Sequence, residues 1–178
     1  MPHKKSLPNA RASREEPPRS VRPVSDVMTI DPDCCLASTS AQEVAKLMRE
    51  RGTGIVPVIN DEEDRRLVGV VTDRDLCLCL IATGRASSLP IEECMTMNAV
   101  TCQPEDPVDL AIELMGQYQV RRIPVVDQEN RIQGIVSLAD MVRRGEINGR
   151  LTQEALEYIC EPTPSASKPR AEFERTRN

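Results

Sequence analysis

Aromatic side chains and histidine are scarce in this 178-residue sequence. The only aromatic residues are Tyr118, Tyr158 and Phe173, too few for the stacking platforms that bind single-stranded nucleic acids. The only histidine, His3, lies in a polar N-terminal stretch, which leaves no histidine-based triad or acid-base pair for the rest of the chain. Most hydrolase mechanisms are therefore disfavoured, and we expect that the protein is not an enzyme.

Paired cysteine motifs are also lacking. The sequence has seven cysteines, but no two form a CxxC pair and none lies near the histidine. This pattern argues against a zinc site and against a disulfide framework. We expect no metal site, and reduced cysteines that pack as small hydrophobic side chains. The doublet Cys34 and Cys35 is the one position where oxidation could be sensed.

Neither end of the chain carries an apolar run of the kind found in signal peptides or membrane spans. With a formal net charge of -5, this predicts a cytoplasmic protein without membrane contact. Residues 1–22 carry a net charge of +4 and residues 161–178 a net charge of +1, which leaves about -10 for residues 23–160. Nucleic acid is an unlikely partner for so acidic a core.

An internal repeat organises the part of the chain between the two tails. Residues 27–29 (VMT) recur 67 positions later as residues 94–96 (CMT). Residues 69–75 (GVVTDRD) recur at an offset of 65 as residues 134–140 (GIVSLAD). We place the difference of two residues in polar loops at residues 60–66 and 127–131, because such loops tolerate insertions.

Each copy reads as a helix, a hairpin and a second helix. Thr39 and Asp106 are the predicted N-caps of the first helices, with Pro107 at the first helical position of the second copy. Apolar runs separated by polar turns predict β-hairpins from strands at residues 55–59, 67–71, 123–126 and 132–136. A proline within the first strand of each hairpin predicts an edge strand or a first position in the strand.

The second helices are predicted to begin at the TDRD and SLAD stretches and to end at Gly84 and Gly145. The helix in the first copy is apolar nearly all round, which predicts burial against the other copy. The expected organisation is a disordered basic arm (1–22), a first repeat (23–84), a linker (85–90), a second repeat (91–146), an accessory helix (147–160) and a disordered tail (161–178).

The junctions between strand and helix at Thr72 and Ser137 have two possible meanings. A hydroxyl residue followed three positions later by an acid is a capping box, which contributes about 1 kcal/mol and needs no ligand. Alternatively, Asp75 and Asp140 can accept two charge-assisted hydrogen bonds from the cis-diol of a ribose. The hydroxyl group and the helix N-terminus then suit a sugar or a phosphate. The available cations are Arg74, Arg121 and Arg122.

The repeat, the order of its elements, and the motifs IVPVI, RIPVV, TDRD and SLAD resemble a tandem pair of cystathionine β-synthase (CBS) domains, the Bateman module. The likeness covers about residues 23–146. TDRD together with VRRIP is similar to stand-alone bacterial CBS-pair proteins, including those of the hypoxic-response type. The resemblance implies an α+β fold with two β-α-β-β-α repeats about a pseudo-two-fold axis. The resemblance also implies two clefts that bind adenosyl ligands such as AMP, ADP, ATP, NADH or S-adenosylmethionine.

Carried over residue by residue, the resemblance makes Asp75 and Asp140 the ribose-binding acids and Thr72 and Ser137 their hydroxyl partners. The adenine would be walled by the strands around Val56, Pro57, Ile123 and Pro124. It also implies a homodimer that senses an adenine nucleotide, requires no cofactor and acts on an unidentified regulated protein. The alternative is a CBS-pair scaffold or stress-response interaction protein that binds no ligand, where both junctions only cap helices.

Overall fold

The computed structural model describes residues 22–143 and, further along the chain, residues 153, 156, 157 and 159, which are helical. The predicted basic arm, the predicted tail and most of the predicted accessory helix lie outside the described residues. Gly145, the predicted end of the last helix, also lies outside them. The description below therefore concerns the two repeats.

The two copies contain the same elements in the same order, except that the strand Cys35–Leu36 has no counterpart strand in the second copy, where the equivalent residue Cys102 forms only an isolated bridge to Val125. The first has β1 (Thr29–Ile30), β2 (Cys35–Leu36), α1 (Ala41–Arg51), β3 (Ile55–Ile59), β4 (Leu67–Thr72) and α2 (Asp73–Leu76), which continues as a π-helical segment, Cys77–Ile81. The second has β5 (Thr96–Met97), α3 (Val108–Gln117), β6 (Arg122–Val126), β7 (Ile132–Ser137) and α4 (Leu138–Arg143). Short 3-10 turns, Val24–Asp26 and Ile91–Glu93, precede β1 and β5. The α+β prediction is confirmed.

Both predicted hairpins are present, and each repeat lends its opening strand to the sheet of the other. β3 pairs with β4 and β6 with β7, both antiparallel. The two-residue strand β1 pairs with β7 of the second copy, whereas β5 pairs with β4 of the first. The resulting sheets have the orders β1-β7-β6 and β2-β3-β4-β5. Neither sheet is complete without the other repeat.

Two glycines at equivalent positions make this exchange possible. A Cβ on Gly69 would lie 2.8 Å from the Thr96 carbonyl oxygen, and a Cβ on Gly134 would lie 2.8 Å from the Thr29 carbonyl oxygen. Real Cβ atoms do not approach backbone so closely, so only glycine lets the exchanged strand approach. The two glycines, 65 residues apart in the sequence, therefore make equivalent contacts with the backbone of an exchanged strand.

The hydrophobic core is divided in the same symmetrical way. The second repeat's core includes Val24 and Val27 from the turn before β1, and the first repeat's core includes Ile91 from the turn before β5. A third cluster lies between the repeats and draws on both hairpins: Ile55, Ile59, Leu67, Val70, Val126 and Ile132. Burial of each of these side chains stabilises the folded protein by roughly 1.5–3 kcal/mol. Because the third cluster draws on both hairpins, the two repeats share one folding unit.

The polar hairpin loops, in which the length difference was placed, contact each other. The Leu67 N–H donates to the Asn130 carbonyl oxygen at 2.9 Å, and the Ile132 N–H donates to the Arg65 carbonyl oxygen at 3.0 Å. Arg65 and Asn130 both have positive φ, of 54° and 66°, at positions 65 residues apart. Two further positive-φ pairs, Asp31 with Asn98 and Gly52 with Gln119, are 67 residues apart. The backbone therefore repeats even where the side chains differ.

The predicted helix starts were each one residue early. The N-cap of α1 is Ser40, whose hydroxyl accepts from the Glu43 N–H in a capping box, while the Thr39 hydroxyl accepts from the Leu36 N–H at 3.1 Å. The N-cap of α3 is Pro107, and the Asp106 carboxylate accepts from the Gln103 N–H at 2.7 Å. Adjacent hydroxyl and acidic residues compete for such positions, and the sequence alone does not decide between them.

The edge prediction holds for β6 but is wrong for β3, which lies between β2 and β4. Proline is tolerated there because β2 has only two residues and pairs only with Val58 and Ile59, so the pairing does not reach Pro57.

The predicted burial of the second helix of the first copy is also wrong. Leu76 is buried, but Leu78 and Ile81 are 50% and 79% exposed. The π-helical turn at Cys77–Ile81 changes the angular spacing of the side chains. Part of the apolar surface of this helix therefore faces away from both repeats.

The expectation that all cysteines are reduced is wrong as well. Cys79 and Cys94 form a disulfide across 15 residues of chain. The residue spacing carried no sign of this bond, because it depends on how the π-helical segment packs against the turn before β5.

Candidate functional site

The first candidate site is the junction of β4 and α2. The Thr72 N–H and hydroxyl both donate to Asp75 Oδ2, at 3.0 Å and 2.7 Å, and the Asp75 N–H donates to the Thr72 hydroxyl at 3.1 Å. This is a complete capping box. These three hydrogen bonds hold the side chains of Thr72 and Asp75 in place, so the aspartate is fixed at the start of the helix.

The second candidate site, where β7 meets α4, has two of the same three hydrogen bonds. The Ser137 hydroxyl donates to Asp140 Oδ2, and the Asp140 N–H donates back to that hydroxyl at 3.1 Å. The helix starts are also anchored alike: the Asp73 N–H donates to the Gly54 carbonyl at 3.3 Å, and the Leu138 N–H donates to the Arg121 carbonyl at 3.1 Å. The two junctions therefore share one backbone geometry.

One carboxylate oxygen remains available at each junction. The hydrogen bonds that the Asp75 and Asp140 carboxylates accept all go to Oδ2, and Oδ1 of neither residue accepts a hydrogen bond from the described part of the chain. Both carboxylates are partly exposed. An ionised carboxylate has lone pairs for about four donors, so capping leaves acceptor capacity on both oxygens. Helix capping and ligand binding are therefore compatible here.

A cation from the second repeat reaches the first junction. Arg122 Nη1 lies 3.3 Å, and Asp73 Oδ2 lies 3.0 Å, from the position that a Cβ on Gly54 would occupy. A side chain at position 54 would crowd both groups, so the glycine leaves room for the arginine. Arg122 is exposed, and its guanidinium forms no ion pair within the described residues. It is available to a negatively charged group near the start of α2.

The sequence did not identify Gly54 and Asp73 as neighbours of this site. The available signal was the repeat alignment, because position 54 corresponds to Arg121 and position 55 to Arg122. The first copy thus has glycine and isoleucine where the second has two arginines. Arg74 and Arg121 are exposed and likewise form no ion pair within the described residues, but no contact places them at either junction.

The four residues proposed to wall an adenine divide into two pairs. Val56 and Ile123 are fully buried in the core of their own repeat. Because side chains alternate along a strand, Pro57 shares a face with Ile55 and Ile59, which belong to the cluster between the repeats. Pro124 likewise shares a face with Arg122 and Val126. The two prolines therefore face the region between the repeats, whereas Val56 and Ile123 face away from it.

Two open recesses lie away from these junctions. One, of about 270 Å³, is lined by residues that include Cys34, Cys35 and Glu43, and the other, of about 320 Å³, by residues that include Asp127 and Gln133. Neither includes Thr72, Asp75, Ser137 or Asp140. Burial raises the pKa of Cys35 to about 12, so this thiol stays protonated and unreactive at neutral pH.

The chain belongs to the CBS domain family. The model of that family, described as "CBS domain", matches residues 24–82 and 91–146. The chain is 38% identical over 118 residues to the CBS domain-containing protein YhcV of Bacillus subtilis, covering 66% of this chain and 81% of that protein. The two matches of the family model, one to each repeat, agree with the symmetrical exchange of strands described above.

Solved structures of CBS pairs have the same fold. The CBS domain pair of protein MJ0100, in complex with 5'-methylthioadenosine and S-adenosyl-L-methionine, is 29% identical with a TM-score of 0.63, over 71% of this chain and 97% of that one. CBSX2 in complex with AMP is 27% identical with a TM-score of 0.61, over 70% and 96%. Adenosyl ligands are thus bound by proteins of this fold and family.

Hypoxic Response Protein I, with two coordinated zinc ions, is 27% identical with a TM-score of 0.61, over 69% of this chain and 98% of that one. The predicted likeness to the hypoxic-response type is confirmed. Within the described residues of the present chain, no group of three or more His, Cys, Asp and Glu residues could hold a metal ion. In the same residues, no helix is long and apolar enough to cross a membrane.

Proposed function

We propose that this protein is a regulatory module that binds an adenosine-containing nucleotide, AMP, ADP, ATP or NADH, between its two CBS repeats. Asp75 and Asp140 accept hydrogen bonds from the ribose hydroxyls, with Thr72 and Ser137 beside them. Pro57 and Pro124, with the backbone of the adjoining Val56 and Ile123, flank the base. Arg122 contacts the phosphate, with Arg74 and Arg121 near it. The nucleotide is a regulatory ligand, and no other cofactor is required.

The observation that carries this proposal is the pair of partly exposed aspartates, each held by its cap and each with an Oδ1 that accepts no hydrogen bond from the described residues. A carboxylate fixed in this way loses little conformational entropy when it accepts the two hydroxyls of a ribose. The adenosyl complexes of MJ0100 and CBSX2 support the same ligand class. We infer that the module senses and does not catalyse, and that it acts in the cytoplasm on a regulated protein.

The proposal is tested by titrating AMP into the Asp75→Ala and Asp140→Ala variants by calorimetry. Each substitution removes two charge-assisted hydrogen bonds and should weaken binding at its own junction by about 2–3 kcal/mol, or roughly 30- to 150-fold. Unchanged titrations in both variants would sink the proposal.

Loss of the helix cap must be separated from loss of the ligand contact. Glu43→Ala is the matched control, because Glu43 forms the same kind of capping box with Ser40 at the start of α1. We expect this variant to lose cap stability while binding AMP as the unmodified protein does. Asp75→Asn provides a second control, since it keeps an oxygen acceptor for the cap and loses the charge.

The alternative is a scaffold that binds no nucleotide. The completeness of the Thr72 and Asp75 capping box favours it, because capping alone explains both residues. This alternative predicts that adenine nucleotides leave the melting temperature unchanged.

We also propose that the module forms a homodimer through its second helices. Large apolar side chains are exposed there, namely Leu78 (50%), Ile81 (79%) and Val142 (56%). An exposed apolar patch of this kind is typical of an interface. Sedimentation velocity should show that the unmodified protein is a dimer. The Ile81→Ser dimer should be weaker and should dissociate at protein concentrations where the unmodified dimer persists. A monomeric unmodified protein would contradict the proposal.

A further inference from the structure

The Cys79–Cys94 disulfide joins the two repeats just before the exchanged strand β5. Cys79 lies in the π-helical segment Cys77–Ile81 that continues α2, and Cys94 follows the 3-10 turn Ile91–Glu93 that opens the second repeat. Their Cα atoms are 5.5 Å apart. The bond therefore closes a covalent ring that contains the end of α2 and the connection between the repeats.

This cysteine pair differs from the buried cysteines in its access to solvent. Cys35 and Cys102 are 7% and 3% exposed, and burial raises the pKa of each thiol to about 12, so they are inert. Cys79 and Cys94 are both partly exposed. A dissolved thiol can reach the disulfide without unfolding of the core.

A guanidinium group lies beside one of the two sulfur atoms. Arg85 Nη1 is 3.7 Å from Cys79 Sγ, and Arg85 Nη2 is paired with the Glu93 carboxylate. A nearby cation stabilises a thiolate relative to a thiol. The sulfur that departs as the more stable thiolate is the better leaving group in thiol–disulfide exchange, so Cys79 should leave while Cys94 is attacked.

We propose that Cys79 and Cys94 form a reversible redox site that exchanges with a dithiol reductant. One thiolate of the reductant attacks Cys94 Sγ, the Cys79–Cys94 bond breaks, and its electron pair leaves on Cys79 Sγ, which then takes a proton. The second thiol of the reductant attacks the mixed disulfide and releases Cys94. The reductant becomes a disulfide, and the protein gains two electrons and two protons as two thiols.

Reduction should loosen the second helix of the first repeat. Apart from the disulfide, the π-helical segment contacts the first core mainly through Leu80, which is only partly buried, whereas Leu78 and Ile81 point outward. Cys79 lies one turn beyond Asp75, so the helix that carries this aspartate is the one released. Opening a ring of this length should lower the melting temperature by roughly 5–10 °C.

The test uses the full-length protein equilibrated with the oxidised or reduced form of the dithiol dithiothreitol and then alkylated. We expect a tryptic peptide pair linked through Cys79 and Cys94 only after oxidation, together with the higher melting temperature. The Cys77→Ser variant is the matched control, because Cys77 is an exposed free cysteine in the same segment. It should keep both the link and the temperature shift.

Cys79→Ser should abolish the dependence of the melting temperature on redox state. If that variant does not fold, the comparison of oxidised and reduced unmodified protein still decides the outcome. Arg85→Gln should slow reduction by dithiothreitol roughly threefold, because the leaving thiolate loses its cation. Oxidised protein without the Cys79–Cys94 link, or equal melting temperatures in the two states, would overturn the proposal.

Discussion

The two repeats have nearly the same backbone but differ in chemistry at equivalent positions. Their strand glycines correspond, as do three pairs of positive-φ residues and the backbone hydrogen bonds that anchor the starts of α2 and α4. The first repeat, however, has Gly54 and Ile55 where the second has Arg121 and Arg122, and within the described residues only the first has a disulfide on its second helix. Duplication thus preserved what the shared fold needs and left the surfaces around the two junctions free to diverge.

The strongest test of the shared backbone is to substitute its strand glycines. Gly69→Ala and Gly134→Ala each place a Cβ 2.8 Å from a carbonyl oxygen of the exchanged strand, so each should destabilise the protein by about 1–3 kcal/mol. We expect similar falls in melting temperature, measured by calorimetry, because the two contacts are equivalent. Val68→Ala, on the partly exposed neighbouring residue, is the control. A large effect in one repeat and none in the other would break the comparison.

A second test of the difference between the two junctions is to substitute Arg122, the arginine of the second repeat that lies near the first junction. Arg122→Leu should weaken AMP binding by roughly tenfold to a hundredfold, since charge-assisted hydrogen bonds contribute about 1.5–3 kcal/mol. Adenosine lacks the phosphate and should bind as before, which isothermal titration can show. Arg49→Leu, at an exposed arginine of α1 that is not proposed to contact the ligand, is the control. Equal losses for AMP and adenosine would mean that Arg122 supports the structure and does not contact the phosphate.

The smallest expected effect concerns the caps of the first helices. Ser40 and Glu43 form a capping box on α1, whereas α3 begins at Pro107 without a side-chain cap. Ser40→Ala should cost about 1 kcal/mol in urea denaturation, and Pro107→Ala considerably less. Similar losses for both would show that the cap does not distinguish the repeats.

The capping box formed by Ser40 and Glu43 also predicts that the stability of the protein depends on pH. The hydrogen bond from the Ser40 side chain, followed by the one from its backbone N–H, lowers the pKa of Glu43 from 4.5. The carboxylate therefore contributes stability that is fully present above pH 4.5 and is lost as the pH falls through its lower folded-state pKa. NMR titration of Ser40→Ala should show the Glu43 pKa returning toward 4.5.

The sequence was sufficient to predict the hairpins and the internal repeat, because alternating apolar residues and polar turns are local signals. It was also sufficient to place Asp75 and Asp140 at helix starts, since a hydroxyl residue and an acid three positions apart form a local motif. These are features that depend on residues close together in the chain.

Features that depend on distant packing could not be predicted in this way. The strands β1 and β5 have two residues each and gain their partners only from the other repeat. The approach of Arg122 to Gly54 and the Cys79–Cys94 bond likewise join parts of the chain with no shared local pattern. The apolar composition of residues 76–81 indicated burial, but it did not distinguish packing within the chain from an exposed face.

The central claim, that the repeats bind an adenosine-containing nucleotide, is tested most directly by thermal melts of the unmodified protein with AMP, ADP, ATP and NADH. A ligand present at 100 times its dissociation constant adds about 2.7 kcal/mol, which should raise the melting temperature by roughly 5–10 °C. We predict such a rise with at least one of these nucleotides and none in the variant that combines Asp75→Ala with Asp140→Ala. An unchanged melting temperature with every nucleotide, up to millimolar concentration, would contradict the claim and favour the scaffold.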